Sequence, residues 1–130
     1  MNRRTSREKA LQAVFQVDVG KSDPENAYRH VLGKDSDDVF LKKLFFGTVE
    51  HLHELDQIIT DHLENWSLDR LANVDRNLLR IAVYEMKYME DVPYTVSINE
   101  AVEIAKRFGD EKSSRFINGV LAKVMETLGK

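Results

Sequence analysis

Apolar residues recur along this chain at intervals of three and four, the spacing that lines one face of a helix. Leu11, Val14, Phe15 and Val19 form the first such stripe. Thr5-x-x-Glu8 reads as a capping box that opens a helix over about 5–19, with Gly20 as its stop. Asp23-Pro24 predicts an N-cap followed by proline in the first turn, and Gly33 closes that short helix behind Tyr28, Val31 and Leu32. A longer pattern then runs from Ser36 or Asp37 to about Glu64. It is long for a small domain, so a break is predicted near His51–Glu54. Asn73 caps the next helix, about 74–89, where Leu78, Leu79, Ile81, Val83, Tyr84 and Met86 cover most of the circumference, as in a buried central helix. Ser97-x-x-Glu100 reads as a second capping box, opening a helix that stops at Gly109. Ser113 or Ser114 starts the last helix, which carries Phe116, Ile117, Val120, Leu121, Val124 and Leu128. No alternating strand pattern interrupts the series, so the expectation is an all-α protein forming one domain over 1–130.

Charge changes this picture more than composition does. The net charge is −3, but it is distributed unevenly. Residues 1–19 hold four bases against two acids, residues 20–75 hold six bases against twelve acids, and residues 76–130 are close to balanced. Arg3 and Arg4 are expected to precede the first helix as a flexible basic arm (about 1–5), with Arg7 and Lys9 on its first turn. Cations there oppose the helix macrodipole, so stability alone would favour acids. A basic arm on an acidic body suits a phosphate backbone on one side and a basic protein on the other. Hydrophobic content of 42% and charged content of 32% are those of a globular protein. The absence of cysteine excludes disulfides and thiolate metal sites. No apolar run approaches a membrane span, and Glu8, Gln12 and Asp18 break up any signal-peptide core, so a cytoplasmic protein is expected.

Several groups of residues carry candidate chemistry. Arg3, Arg4 and Arg7 can wrap a looped or single-stranded RNA, with Gln12 one turn further on; the alternative is a merely solvated terminus. Lys106, Arg107, Lys112 and Arg115 surround the turn before the last helix, beside Phe116, which reads either as a stacking surface or as core. Asn118-Gly119 interrupts a strong helix, and the simplest reading is close approach of two helices. Asp69 and Asp75 either stabilise helix starts or present carboxylates to a basic partner, while Arg76 and Arg80 are candidates to pair internally with acids such as Glu85. His51 with Glu54 and His53 with Asp56 stand at ligand-like spacing, but no His-Glu-x-x-His, phosphate-binding loop, nucleophile elbow or deaminase signature occurs. Neither a metal, a cofactor nor a catalytic residue is expected.

The segments NRRTSREKALQAVFQ, VDRNLLRIAVYEM, DVPYTVSINEAVEIAKRFG and SSRFINGVL, in this order and spanning nearly the whole chain, resemble the NusB family of bacterial transcription antitermination factors. The resemblance implies about seven helices in two small bundles that share a helix. It also implies binding of boxA RNA together with NusE, a small ribosomal protein, in a transcription complex with RNA polymerase and other Nus factors. On the matching motifs, Arg3, Arg4, Arg7, Gln12, Lys112, Ser113 and Phe116 are the expected RNA-binding residues, and Phe15, Asp69 and Asp75 the expected contacts to NusE. The family often has tyrosine where this chain has Phe15 and glutamate where it has Asp75. The first departure removes a phenolic hydrogen bond and the second shortens a carboxylate's reach. Two other readings stay open: a non-catalytic RNA-binding domain of the kind some RNA methyltransferases carry, and a helical dimerisation module. Self-association into a homodimer is compatible with the sequence, since it would mask the basic arm.

Overall fold

The computed structural model describes residues 1–129. Among them are seven α-helices, one short 3₁₀ turn and no strand: α1 (Arg3–Asp18), α2 (Pro24–Leu32), α3 (Val39–Glu50), α4 (Leu52–Asp61), the 3₁₀ turn (Leu68–Arg70), α5 (Asn73–Tyr88), α6 (Tyr94–Phe108) and α7 (Ser113–Leu128). Helices α1, α2 and α3 form one small bundle, and α4, α6 and α7 gather around α5 to form the second. Helix α5 also touches α1 and α3, so it is the element the two bundles share. Its run from Asn77 to Met86 is buried without interruption, as its all-round apolar pattern requires. No helix among the described residues is long and apolar enough to cross a membrane.

The caps explain where the helices begin. Asp23 accepts a hydrogen bond from the Asn26 amide with Pro24 behind it, and Asp38 does the same for Leu41. The long pattern over 37–64 breaks at His51, where α3 ends and α4 starts. At the break the Gly47 carbonyl accepts from the His51 amide and also lies 2.8 Å from His51 Nδ1.

Two expected starts are corrected. Asn2 Oδ1 accepts from the Thr5 amide at 2.8 Å, so α1 begins at Arg3 and there is no flexible arm over residues 3–5. Helix α6 begins at Tyr94, directly after Pro93, and Ser97 lies inside it. Ser97 and Glu100 have the residue types of a capping box but serve other helices: Ser97 Oγ donates to Glu85 at 2.5 Å, and Glu100 receives Arg4.

Arg76 and Arg80 do pair internally with acids, as expected, but not with Glu85. Glu85 pairs with Arg7 and with neither Arg76 nor Arg80. Arg76 reaches Asp18 at 2.7 Å, and Arg80 binds Asp56 through two bonds of 2.7 and 2.8 Å while lying 3.4 Å from Asp18. The Asp18 contacts bolt α5 to α1 across the seam between bundles, and the Asp56 pair ties α5 to α4 within the second. Burial alone would raise the Asp18 carboxyl, but hydrogen bonds from Arg76 and Asn77 and the charge of Arg80 outweigh it and hold Asp18 below the ordinary carboxylate range. Finally, Asn118 and Gly119 are exposed, and a Cβ built on Gly119 would meet nothing within 4 Å. No helix packs closely there, contrary to the simplest reading of the sequence.

Candidate nucleic-acid interface

The first turns of α1 hold a network of arginines, each aimed at an acid on another part of the chain. Arg7 is 5% exposed and makes two bonds of 2.8 Å to Glu85 of α5. Its guanidinium also lies 5.0 Å from the centre of the Phe40 ring. Such a group is unavailable to a phosphate unless the α1–α5 contact opens, and in this structure Arg7 serves as an internal anchor. Arg4 makes two bonds of 2.8 and 2.7 Å to Glu100. Those bonds and the Arg4 charge hold the Glu100 carboxyl below its ordinary range despite partial burial. Arg3 approaches Asp91 at 3.6 Å and lies over Phe40 at 4.5 Å. The side chains of Arg3 and Arg4 remain about half exposed, at 54% and 48%. Exposed pairs of this kind contribute roughly 0–1 kcal/mol each, so both arginines can exchange their acids for phosphates at little cost.

The turn between α6 and α7 is built differently. Asp110 Oδ1 accepts from the amides of Lys112 and Ser113, at 2.8 and 3.0 Å, and Ser113 Oγ accepts from the Asp110 amide at 3.1 Å. This reciprocal cap starts α7 and buries Ser113, so Ser113 sets the turn and presents no hydroxyl to a ligand. A Cβ at Gly109 would stand 2.4 Å from Ser113 Oγ, which explains a glycine where the chain folds back onto its own cap. With the amides satisfied inside, Lys112 and Arg115 project outward, and neither forms an ion pair among the described residues.

Lys112, Arg115 and the half-buried Phe116 line one side of a cavity of about 670 Å³, open to solvent. Trp66, Arg70, Leu71 and Ala72 line the other side, and Asp75 lies within it. Asp75 Oδ1 is the one buried side-chain oxygen or nitrogen among the described residues that lacks a hydrogen-bond partner. Burial pushes the Asp75 carboxyl up, and the charge of Asp110 acts in the same direction; the nearby Ser113 hydroxyl opposes the shift but is committed to Asp110. Trp66 and Arg70 were not singled out from the sequence as site residues. The available signal is a lone tryptophan, 58% exposed, in a connector that also carries a base.

A second recess of about 380 Å³ lies beside the first, lined by Leu11, Gln12, Phe15, Gln16, Val74 and Phe108. Phe15 and Phe108 are 38% and 39% exposed, forming an apolar patch on which Gln12 is a polar neighbour. Gln12 thus stands with Phe15, apart from Lys112 and Phe116. Asp69 is exposed on the 3₁₀ turn. Val74 and Asp75, consecutive in the first turn of α5, line the two recesses respectively. The residues expected to meet RNA and those expected to meet a protein therefore adjoin at one helix start.

This geometry has close relatives. The chain matches the NusB family over residues 4–126. It is 55% identical to the transcription antitermination protein NusB of Geobacillus kaustophilus over the whole of both chains. It is likewise 55% identical to that of Bacillus velezensis over 95% of each. Among solved structures it is similar to T. maritima NusB, with a TM-score of 0.90 and 38% identity, covering 97% of this chain and 92% of that one. It is also similar to a chain in a crystal structure of the antitermination factors NusB and NusE in complex with dsRNA, with a TM-score of 0.87 and 29% identity over 96% of each chain.

Proposed function

Because the chain belongs to the NusB family, we propose that it is a transcription antitermination factor that binds boxA-type RNA together with NusE, within a transcription complex containing RNA polymerase and other Nus factors. The observation that carries this reading is the pair of adjoining recesses around the start of α5, one rimmed by unpaired cations and aromatics, the other apolar. Lys112 and Arg115 supply phosphate contacts, with Phe116 beside them for stacking. Arg3 and Arg4 join them by releasing Asp91 and Glu100. The Phe15–Phe108 patch takes the protein partner, with Gln12 at its edge and Asp69 and Asp75 offering carboxylates to a basic ribosomal protein.

The protein acts by binding in the cytoplasm, without catalysing a reaction. Its contribution is coupling: the two recesses share the first turn of α5, so a ligand that orders this turn from one side prepares it for the other, and each raises the other's affinity by the same factor. The test is titration of a boxA-like RNA and a scrambled control at two salt concentrations, with and without NusE. Preference for boxA that strengthens when NusE is added is the expected result. Equal affinities with and without NusE would remove the coupling. Binding that is insensitive to salt would remove the phosphate contacts.

A further inference from the structure

We propose that the cavity between the 3₁₀ turn and α7 holds one unpaired nucleotide of the bound RNA, its base stacked on Trp66 and its phosphates held by Arg70, Lys112 and Arg115. This rests on the RNA-binding reading above and goes beyond it by adding a nucleotide subsite built on Trp66 and Arg70, which lie outside the family motifs.

Three observations converge on it. The cavity, at about 670 Å³, is in the range of small-ligand pockets and has room for a nucleotide. Trp66 is a large aromatic, 58% exposed, on the cavity wall, where the fold makes little use of it. Every base offers a π-face to such a ring, and unpaired bases splayed from single-stranded RNA are recognised by stacking. The three cations on the rim form no ion pair among the described residues, unlike Arg3, Arg4, Arg7 and Lys9 of α1.

The recess carries more free positive than negative charge on its rim. Asp110 is occupied as the cap of α7, and Glu111 is exposed beside Lys112 and Arg115. The charge left to the rim is positive, which suits a phosphate.

Trp66 is the only tryptophan in the chain, so its emission reports this cavity alone. The full-length protein is titrated with a boxA-like RNA carrying a 5′ fluorophore excited outside the tryptophan band, and anisotropy and Trp66 emission are followed together. The expected result is quenching that saturates with the anisotropy. Trp66→Ala is expected to lower affinity roughly ten- to a hundredfold, the range of one lost base stack, and Trp66→Phe to restore most of it. Trp66 is exposed, so both variants are expected to keep the parent's circular dichroism and melting temperature. RNA binding by anisotropy with unchanged emission, and with Trp66→Ala binding like the parent, would overturn the subsite and leave the RNA reading standing. Emission that responds to NusE alone and not to RNA would assign the cavity to the protein partner and overturn the proposal. No anisotropy change with any RNA would overturn both readings.

Discussion

At the start of α1, Arg3, Arg4, Arg7 and Lys9 each meet an acid from elsewhere in the chain; at the start of α7, Lys112 and Arg115 meet none among the described residues. Both are basic clusters in the first turns of helices, where cations oppose the macrodipole. In α1 the cost is offset by Glu85, Glu100, Asp91 and Asp35, and the cluster mainly joins elements together. In α7 an internal cap of Asp110 and Ser113 satisfies the backbone, and the cations are left for an outside ligand. Positive charge in a sequence therefore marks two different things, and what separates them is whether the fold brings an acid within reach.

The sharpest way to break this comparison is at Arg7. Arg7→Ala leaves Glu85 buried with only the Ser97 hydroxyl, and is expected to cost about 3–5 kcal/mol of stability in urea unfolding. A loss below ~1 kcal/mol would mean that Arg7 is as available as its neighbours. Acid titration probes the same network. Arg4 holds Glu100 low, and Arg76, Asn77 and Arg80 hold Asp18 low against its burial. Folded values below the unfolded carboxylate value of about 4 mean that this stabilisation is complete above it and lost as pH falls through the depressed values. The stability gap between parent and Arg4→Ala is accordingly expected to be widest near neutral pH and to close in acid; a gap independent of pH would contradict the pairing.

A smaller effect of opposite sign is expected on the exposed face of α7. Gly119→Ala should raise stability by about 0.5–1 kcal/mol, since the new methyl meets nothing and the helix gains propensity. A destabilised variant would mean that this face is covered. The smallest effect is at Arg3, whose exposed pair with Asp91 contributes roughly 0–1 kcal/mol, so Arg3→Ala should leave thermal unfolding almost unchanged while weakening RNA binding.

Helix positions were legible wherever a local rule decides them. Asp23-Pro24 and Gly33 bracket α2 through bonds within one turn of the chain, and the break at His51 follows from the length of the pattern. The starts of α1 and α6 were misplaced because Thr5, Ser97 and Glu100 are cap-like residue types used for contacts or positions that only the tertiary fold defines. The same limit applies to the site. Lys112 and Phe116 could be named from their motif, but the burial of Arg7 depends on Glu85, 78 positions away. Trp66 and Arg70 escaped notice because a tryptophan in a connector carries no periodic signal, and it becomes informative only when α7 closes the other side of the cavity. Asn118-Gly119 misled for the reverse reason: a helical glycine implies close approach, but the sequence does not say whether the approaching body belongs to the same chain.

The most direct test of the account compares the salt dependence of RNA binding for the parent and for Lys112→Ala/Arg115→Ala, both with NusE present. If these two cations neutralise phosphates, the slope of log affinity against log salt should become shallower by about 1.4, roughly 0.7 for each lost single-strand contact, with the melting temperature unchanged. An unchanged slope and affinity would contradict the claim that the unpaired cations at the start of α7 are the ones that hold the RNA.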